Sequence, residues 1–582
     1  MYIKDYPRPQ FVRDSWLLLN GEWNFRFDDE NVGEREKWFD AFETDQKIKV
    51  PFTYETQASG IGEELFHPYV WYQRNLEIPK EQSSKKAILH FQAVDYTAKV
   101  WVNGKYVGQH QGGYAAFSFD ITGFIDNASE INLVVKAEDS QNCDQPRGKQ
   151  RWVKDNFECF YVQTTGIWQS VWMEFVSQTY IGSVKMTPDL DRYAVQFEYE
   201  TVGELPADGL ELETRVSFNG ELIKQFRLKV DRPSFQVETE LIHETNGPWK
   251  MRPWTPQHPN LYDVEFILFL NGEALDEVHS YFGMRKISIE NGQVLLNNTP
   301  IYQRLILDQG YWPESHLTPP SEEAIIQDID LILAMGYNGV RKHMKIEDER
   351  FLYWADVKGL LVWSEMPATY TFNDSAVDNF TREWLDIVRQ HYNHPSIITW
   401  VPFNESWGIA QIRTNIRQQK FTEGIYHLTK SIDPFRPVIT NDGWEHTISD
   451  ILTLHDYVES SEEFSKQYAD KRKIVDNQIA FNNWKFSLAQ GYEYAGQTII
   501  ISEFGGIAFR SEIGWGYGNQ VADEAAFIER FRKIHEAIKN TDYICGYCYT
   551  QLTDVQQEVN GLLTEDRKPK IPLALIKEIN LA

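Results

Sequence analysis

The sequence predicts a multidomain protein in which two all-β sandwiches precede a C-terminal (β/α)8 TIM barrel. Three observations carry this expectation. The chain has 582 residues, too many for one hydrophobic core. Up to about residue 284, short apolar or alternating runs are separated by turn signals, as in β-sandwiches. After about 285, helical patterns alternate with short apolar strands, the signature of a parallel α/β fold.

Residues 1–178 contain the runs Lys86–Phe91, Ala98–Val102 before Asn103-Gly104, and Ile131–Lys136. Asn-Gly between two such runs is a strong hairpin signal, and many short strands with regular turns indicate a jelly-roll sandwich. Residues 179–284 continue the pattern with Ala194–Tyr199, Glu213–Phe218 before Asn219-Gly220, and Val264–Leu270 before Asn271-Gly272. They read as an immunoglobulin-like sandwich of about seven strands, a spacer and scaffold rather than a binding module. In residues 285–582, Ser321 caps a helix with Glu322 and Glu323 in its first turn, and Gly336 ends it. A second helix runs through Thr381–His391 and stops at His394-Pro395. The expected strands are Ile301–Leu307, Gly339–Lys342, Leu360–Trp363, Ile397–Pro402, Pro437–Thr440, Ile451–Leu454, Thr498–Ser502 and Tyr543–Tyr549, which suits a (β/α)8 barrel.

Composition narrows the function classes. The net charge of −28 repels nucleic acid and anionic membranes, so neither is an expected partner. Aromatic content is high, at 14% with 19 Trp; aromatic faces stack on sugars, but filling sandwich cores is the expected use of most of them. The first twenty residues hold no apolar stretch after a basic start, and no run is apolar enough to span a membrane, so a cytoplasmic location is expected. Of the four cysteines, Cys143, Cys159, Cys545 and Cys548, the last two form a C-x-x-C inside a buried-strand pattern, which fits core packing better than zinc or redox chemistry.

In such a barrel, reactive groups sit at the C-terminal ends of strands. Those ends carry Asp308, His343, Glu365, Asn404-Glu405, Asn441-Asp442, His455, Tyr457 and Glu503. Two strongly apolar runs, Ile397–Phe403 and Thr498–Ser502, deliver Glu405 and Glu503 to the mouth. A single carboxylate so placed is either a functional group or a salt-bridge partner. A pair on strands four and seven points to glycosidic bond cleavage, where one carboxylic acid protonates the leaving oxygen and a carboxylate attacks the anomeric carbon or activates water. Scattered histidines (His343, His391, His394, His446, His455) lack ligand spacing, so no metal and no cofactor is expected.

The run from Asn393-His394-Pro395-Ser396 through Trp400 to Asn404-Glu405 resembles the acid/base signature of glycoside hydrolase family 2, the β-galactosidase and β-glucuronidase family. Ser502-Glu503-Phe504-Gly505-Gly506 resembles its nucleophile strand. The likeness spans the chain: Leu19–Trp23, Val70–Arg74, Val100–Gly104, His110–Tyr114, Gly166-Ile167-Trp168 and Phe282–Arg285 follow the family's order. It implies a retaining exo-glycosidase with Glu405 as acid/base, Glu503 as nucleophile and Asn404 on the sugar's 2-hydroxyl. It implies too that Tyr457 bonds the nucleophile, and that Arg341 with Glu365 lies at the pocket floor, as electrostatic support or as a plain buried salt bridge. Asp308, His343, Trp444 and Trp515 are candidate substrate contacts; for the two tryptophans, packing is the competing reading.

Departures from the family bear on the sugar. Arg341 is followed by Lys342-His343-Met344-Lys345, strand one ends in Leu307-Asp308-Gln309, and the Asn-x-Lys that grips a uronate in glucuronidases is replaced by Glu558-Val559-Asn560 before Gly561. These residues argue for a terminal, neutral β-glycoside of β-galactoside type. β-Glucuronidase, arabinosidase or xylosidase activity, or a non-catalytic carbohydrate-binding role, stand as alternatives. The magnesium ligands of the family's large β-galactosidases find no match. The expected partner is an oligosaccharide or glycoside substrate, and self-association into a homo-oligomer stays open.

Overall fold

The computed structural model describes residues 2–125, 130–206, 208–241, 251–482, 484–511 and 513–582. The N-terminal strands form a six-stranded and a four-stranded sheet. They enclose a core that includes Trp23, Phe25, Tyr72, Leu89, Phe91, Leu133, Met173 and Phe175. Ile131, Leu133, Val135 and Ala137 alternate into that core from strand Glu130–Glu138. The outer face of the six-stranded sheet is covered as well: Trp38 and Phe42 pack on Trp71, Trp101 and Val134, so this unit absorbs many aromatic side chains in packing.

The three Asn-Gly pairs at 103–104, 219–220 and 271–272 each turn a hairpin. Asn103 and Gly104 have φ of 50° and 72°, Asn219 and Gly220 50° and 79°, and Asn271 and Gly272 51° and 89°. Two successive positive φ values give the turn whose twist matches the flanking strands. The last two hairpins belong to a second sandwich. Its three-stranded sheet (Tyr180–Asp189, Ala194–Val202, Ser234–Glu240) packs on a four-stranded sheet (Leu210–Phe218, Glu221–Lys229, Tyr262–Leu270, Glu273–Phe282).

The C-terminal region is a parallel barrel. Its strands are β1 (Gln303–Asp308), β2 (Gly339–Lys342), β3 (Leu361–Glu365), β4 (Ile397–Val401), β5 (Asn441–Asp442), β6 (Ile451–His455), β7 (Thr498–Gly505) and β8 (Ile544–Thr550). Seven of them pair in the order β4-β3-β2-β1-β8-β7-β6. The remaining gap is spanned by β5, which pairs with Phe403-Asn404 beyond β4, while Gly443 accepts a hydrogen bond from the His455 amide of β6. The sequence places strand five at Pro437–Thr440, but that stretch makes only one bridge, Val438 to Trp400. The reason is competition from side chains: the Val438 and Thr440 amides donate to Asp450 and to Ser449 Oγ instead of to a neighbouring strand. Helix α1 (Glu322–Ala334) is capped by Ser321, as expected. Helix α2 (Asp374–Gln390) starts well before Thr381, because Asn373 accepts the Ala376 amide and caps it. Cys545 and Cys548 lie on β8, Cys548 buried, and all four cysteines are free. Among the described residues no helix is long and apolar enough to cross a membrane.

Two contacts hold the first sandwich in place. Buried Arg13 sits 2.8 Å from Glu174 of the first sandwich and 2.8 Å from Asp276 of the second. The segment 147–161 lies over the barrel mouth. The Arg147 amide donates to the Ala368 carbonyl at 2.8 Å, Tyr161 Oη to Glu558 at 2.5 Å, and Trp515 Nε1 to the Glu158 carbonyl at 2.8 Å. A Cβ on Gly148 would meet the Met344 carbonyl oxygen at 2.5 Å, so the loop has no room to withdraw around a side chain there.

Replacing Arg13 by Met would strand two buried carboxylates. The expected cost is about 3–5 kcal/mol, read as a lower urea midpoint, whereas the exposed Arg192→Met, whose pair with Glu238 is solvated, should cost less than about 1 kcal/mol.

Candidate active site

The apolar strands β4 and β7 end side by side at the mouth and bring Glu405 and Glu503 together. One carboxylate oxygen of each, with a ring nitrogen of His455, lies within 4.8 Å of the others. Glu405 leaves β4 through a sharp turn, with φ of 50° at Glu405 and 62° at Ser406. Non-glycine residues in this region cost about 1–3 kcal/mol unless neighbours impose it. Here the Glu405 amide donates to the Asp442 carbonyl and the Ser406 amide to Asn441 Oδ1, both at 2.9 Å. The turn exposes the Glu405 side chain, 19% accessible, while Glu503 is almost wholly enclosed at 5%.

Beneath them Arg341, from β2, is completely buried. Its guanidinium lies 2.6 Å from Glu365, 2.8 Å from Asp442 and 2.6 Å from Glu503, and Nη2 donates to Asn404 Oδ1 at 2.6 Å. This is more than the Arg341–Glu365 pair expected from the sequence. Burial alone would raise the Glu503 pKa, but the cations His455 and Arg341 hold it at about 2, so the group is a carboxylate at any working pH. Tyr457 Oη donates to Glu503 Oε2, and its ring stacks on Tyr517 at 3.4 Å. Glu365 is lifted to about 7, chiefly by burial.

Asn404 keeps its Nδ2 group buried and unpartnered, a donor available to a hydroxyl. His343 Nδ1 is 2.9 Å from Glu365 and 4.0 Å from Glu503; burial, with Lys149 and Arg341, pushes its pKa well down, so the ring is neutral. Trp444 is buried and meets His455 edge-on at 5.6 Å, while half-buried Trp515 packs against Tyr517 at the rim. Asp308 corrects the expectation of a sugar contact. One of its oxygens takes the Gly310 amide and the other lies 2.5 Å from Lys342, which also pairs with Glu347. The strand-one end is therefore closed by an internal ion-pair network.

Three features escaped the sequence. His455 bridges Glu405 and Asp442, at 2.8 Å and 3.2 Å. Asp442 binds both Arg341 and His455, and its pKa is driven far down by those cations against the effect of burial. Lys149 reaches the site from the first sandwich, 8% exposed, with no carboxylate at ion-pair distance among the described residues. Strand-end position had marked His455 and Asp442; nothing local marks Lys149. The group Glu405, His455 and Glu503 has the spacing of a metal site among the described residues. Paired-carboxylate hydrolysis requires none, and Arg341 and His455 already supply positive charge there.

Substituting Met for Arg341 leaves Glu365, Asp442 and Glu503 facing one another. The expected outcome is a loss of about 3–5 kcal/mol in denaturant melts. The Glu503 pKa should also rise from about 2, moving the acid limb of kcat/KM to higher pH. The sign is that of a depressed carboxylate: in the wild type its stabilisation is present above 4.5 and is lost as pH falls toward about 2.

Family models match the chain end to end. Residues 17–173 match the sugar binding domain of glycosyl hydrolases family 2, 179–285 a second domain of that family, and 287–581 its TIM barrel domain. A β-glucuronidase of Streptococcus agalactiae is 22% identical, covering 97% of this chain and 96% of its own. A β-galactosidase of Thermoanaerobacter pseudethanolicus is 25% identical over 76% of this chain. The chain spans about half the length of two curated relatives, 57% of that β-galactosidase and 51% of a Formosa agariphila protein. A solved β-glucuronidase from Ruminococcus gnavus superposes with a TM-score of 0.79 at 18% identity, covering 99% of both chains, and so shares the fold. With all three domain models in order along one polypeptide, the chain belongs to glycoside hydrolase family 2.

Proposed function

We propose that the protein is a retaining exo-β-glycosidase working by double displacement. The observation that carries this is the close pair of carboxylates, with offered oxygens within 4.8 Å. About 5–5.5 Å suits direct attack, whereas inversion needs roughly 6.5–9.5 Å to admit a water. The Glu503 carboxylate attacks the anomeric carbon as Glu405 passes a proton to the departing oxygen. The resulting glycosyl ester is then cleaved by a water that gives its proton to Glu405. Asn404 Nδ2 is the donor for a ring hydroxyl, and Arg341 and Tyr457 hold the nucleophile ionised and aligned. In this reading residues 1–178 and 285–582 build the pocket jointly, with 179–284 as spacer.

For the glycone, β-glucuronide is the better supported reading and β-galactoside the second. Several curated relatives along nearly the whole chain are β-glucuronidases. Glu558 and Asn560 disfavour a uronate, but Lys149 favours one. A buried lysine without an ion-pair partner is costly unless a ligand supplies the anion. Burial lowers its pKa, but Cys159, Glu558 and Glu405 raise it more, so it stays a cation. Glu558, in turn, is raised chiefly by burial, accepts Tyr161 Oη at 2.5 Å and Asn560 Nδ2 at 3.1 Å, and repels an anion less than its formal charge suggests.

Glu405→Gln and Glu503→Gln should each lower kcat on unactivated glycosides by about 10²–10⁴-fold or more, and NMR of the first-formed sugar should show the β-anomer. An α-anomer, or wild-type turnover by both variants, would remove the reading. Across p-nitrophenyl β-glucuronide, β-galactoside, β-glucoside, β-xyloside and α-arabinoside, the glucuronide should have the highest kcat/KM. Lys149→Met should then reduce that value about 10–100-fold, the worth of a charged hydrogen bond, with the galactoside value nearly unchanged. A galactoside preference insensitive to Lys149 selects the second reading.

A further inference from the structure

We propose that His455 is a positioning residue for proton transfer: as a double donor it fixes Glu405 Oε1 and leaves Oε2 to face the departing oxygen. This rests on the acid/base role proposed for Glu405. His455 is fully buried at the end of β6, with Nδ1 2.8 Å from Glu405 Oε1 and Nε2 3.2 Å from Asp442 Oδ2. A neutral imidazole has one N–H and can donate to only one of two carboxylates. Asp442, held by Arg341 and by Ser502 Oγ at 2.7 Å, is a fixed acceptor. When Glu405 Oε1 also accepts, the ring must carry both protons.

The ring has little freedom to turn away. A Cβ on Gly443 would lie 2.6 Å from its Nδ1, and Trp444 closes another side edge-on. Charged and titratable groups face it from every neighbouring strand: Glu405 from β4, Asp442 from β5, Glu503 at 3.6 Å from β7, and Arg341 with His343 from β2. His446, which borders the same strand, bonds Ser449 and the Thr453 carbonyl and has its pKa lowered by burial. The anions win, and the His455 pKa rises to about 10 in spite of burial.

In the proton-transfer step Glu405 carries its proton on Oε2. That proton passes to the glycosidic oxygen as the C–O bond breaks with its electron pair on oxygen, and a Glu503 oxygen forms the new bond to the anomeric carbon. His455 keeps both protons, and its positive charge stabilises the Glu405 carboxylate left behind.

The test is His455→Asn, which keeps one donor and removes the charge, checked by thermal melt for folding. On aryl glycosides with poor leaving groups kcat/KM should fall about 10–100-fold, within the range of acid catalysis. On the 2,4-dinitrophenyl glycoside, which needs no acid, the fall should be about tenfold smaller, what remains being the loss of positive charge 3.6 Å from Glu503. Gly443→Ala, which crowds the ring without removing its charge, should reproduce the leaving-group dependence. Equal losses on both leaving groups in both variants would overturn the proposal and leave His455 a packing residue. Glu405→Ala separates the two layers. Azide should rescue it to a β-glycosyl azide if Glu405 is the acid/base; failure of that rescue overturns the underlying role itself, whatever His455 does.

Discussion

One buried guanidinium organises the mouth of this barrel. Arg341 stands among Glu365, Asp442 and Glu503, and it offsets the repulsion that their negative charges would exert on one another in a water-poor site. Through Asp442 its influence extends to His455 and so to Glu405, giving an alternation of charge that runs from Glu503 to Glu405. The same alternation distinguishes the two glutamates. Glu503 is enclosed among cations and stays ionised, while Glu405 stands on a strained turn, more accessible and in contact with one cation. Two identical side chains acquire different tasks from their surroundings.

The second constraint is that the pocket is made by two regions remote in sequence. The 147–161 segment is pinned to the barrel by backbone bonds to Ala368, by the Tyr161–Glu558 contact and by the Trp515 bond to Glu158. Behind it, Arg147 pairs with buried Asp139, and Gln150 donates to Asp95 at 2.6 Å, so the loop is held on its far side as well. Lys149 thus enters the site on a rigid support rather than on a mobile arm, which is what precise placement of a charge requires.

The interdomain contacts follow the same economy. Arg13, in the segment before the first strand, satisfies carboxylates of both sandwiches at once. Arg285, at the entry to the barrel region, donates to the Pro395 and Ile397 carbonyls at the base of β4. The strand that delivers Glu405 is therefore anchored at its start by the linker from the second sandwich.

The sequence by itself determined the order of the folds, the hairpins and the two glutamates that β4 and β7 carry to the barrel mouth. Each of these depends on short-range information: period two against period 3.6, Asn-Gly at positive φ, and an apolar strand ending in a carboxylate. The same logic found Tyr457 and Arg341, because strand ends converge in a barrel wherever the strands lie in the chain. It failed for Pro437–Thr440, where side-chain acceptors from Ser449 and Asp450 replace a neighbouring strand, and for Asp308, whose placement at a strand end conceals its pairing with Lys342. Only the tertiary structure decided which charges meet. Lys149 lies more than 250 residues from Glu405 and on a different fold, so no periodicity could bring them together, and His455 gains its place between Glu405 and Asp442 only when the barrel closes. Which two carboxylates meet at the mouth could be read along the chain; which cations and donors surround them depends on neighbours that folding alone supplies.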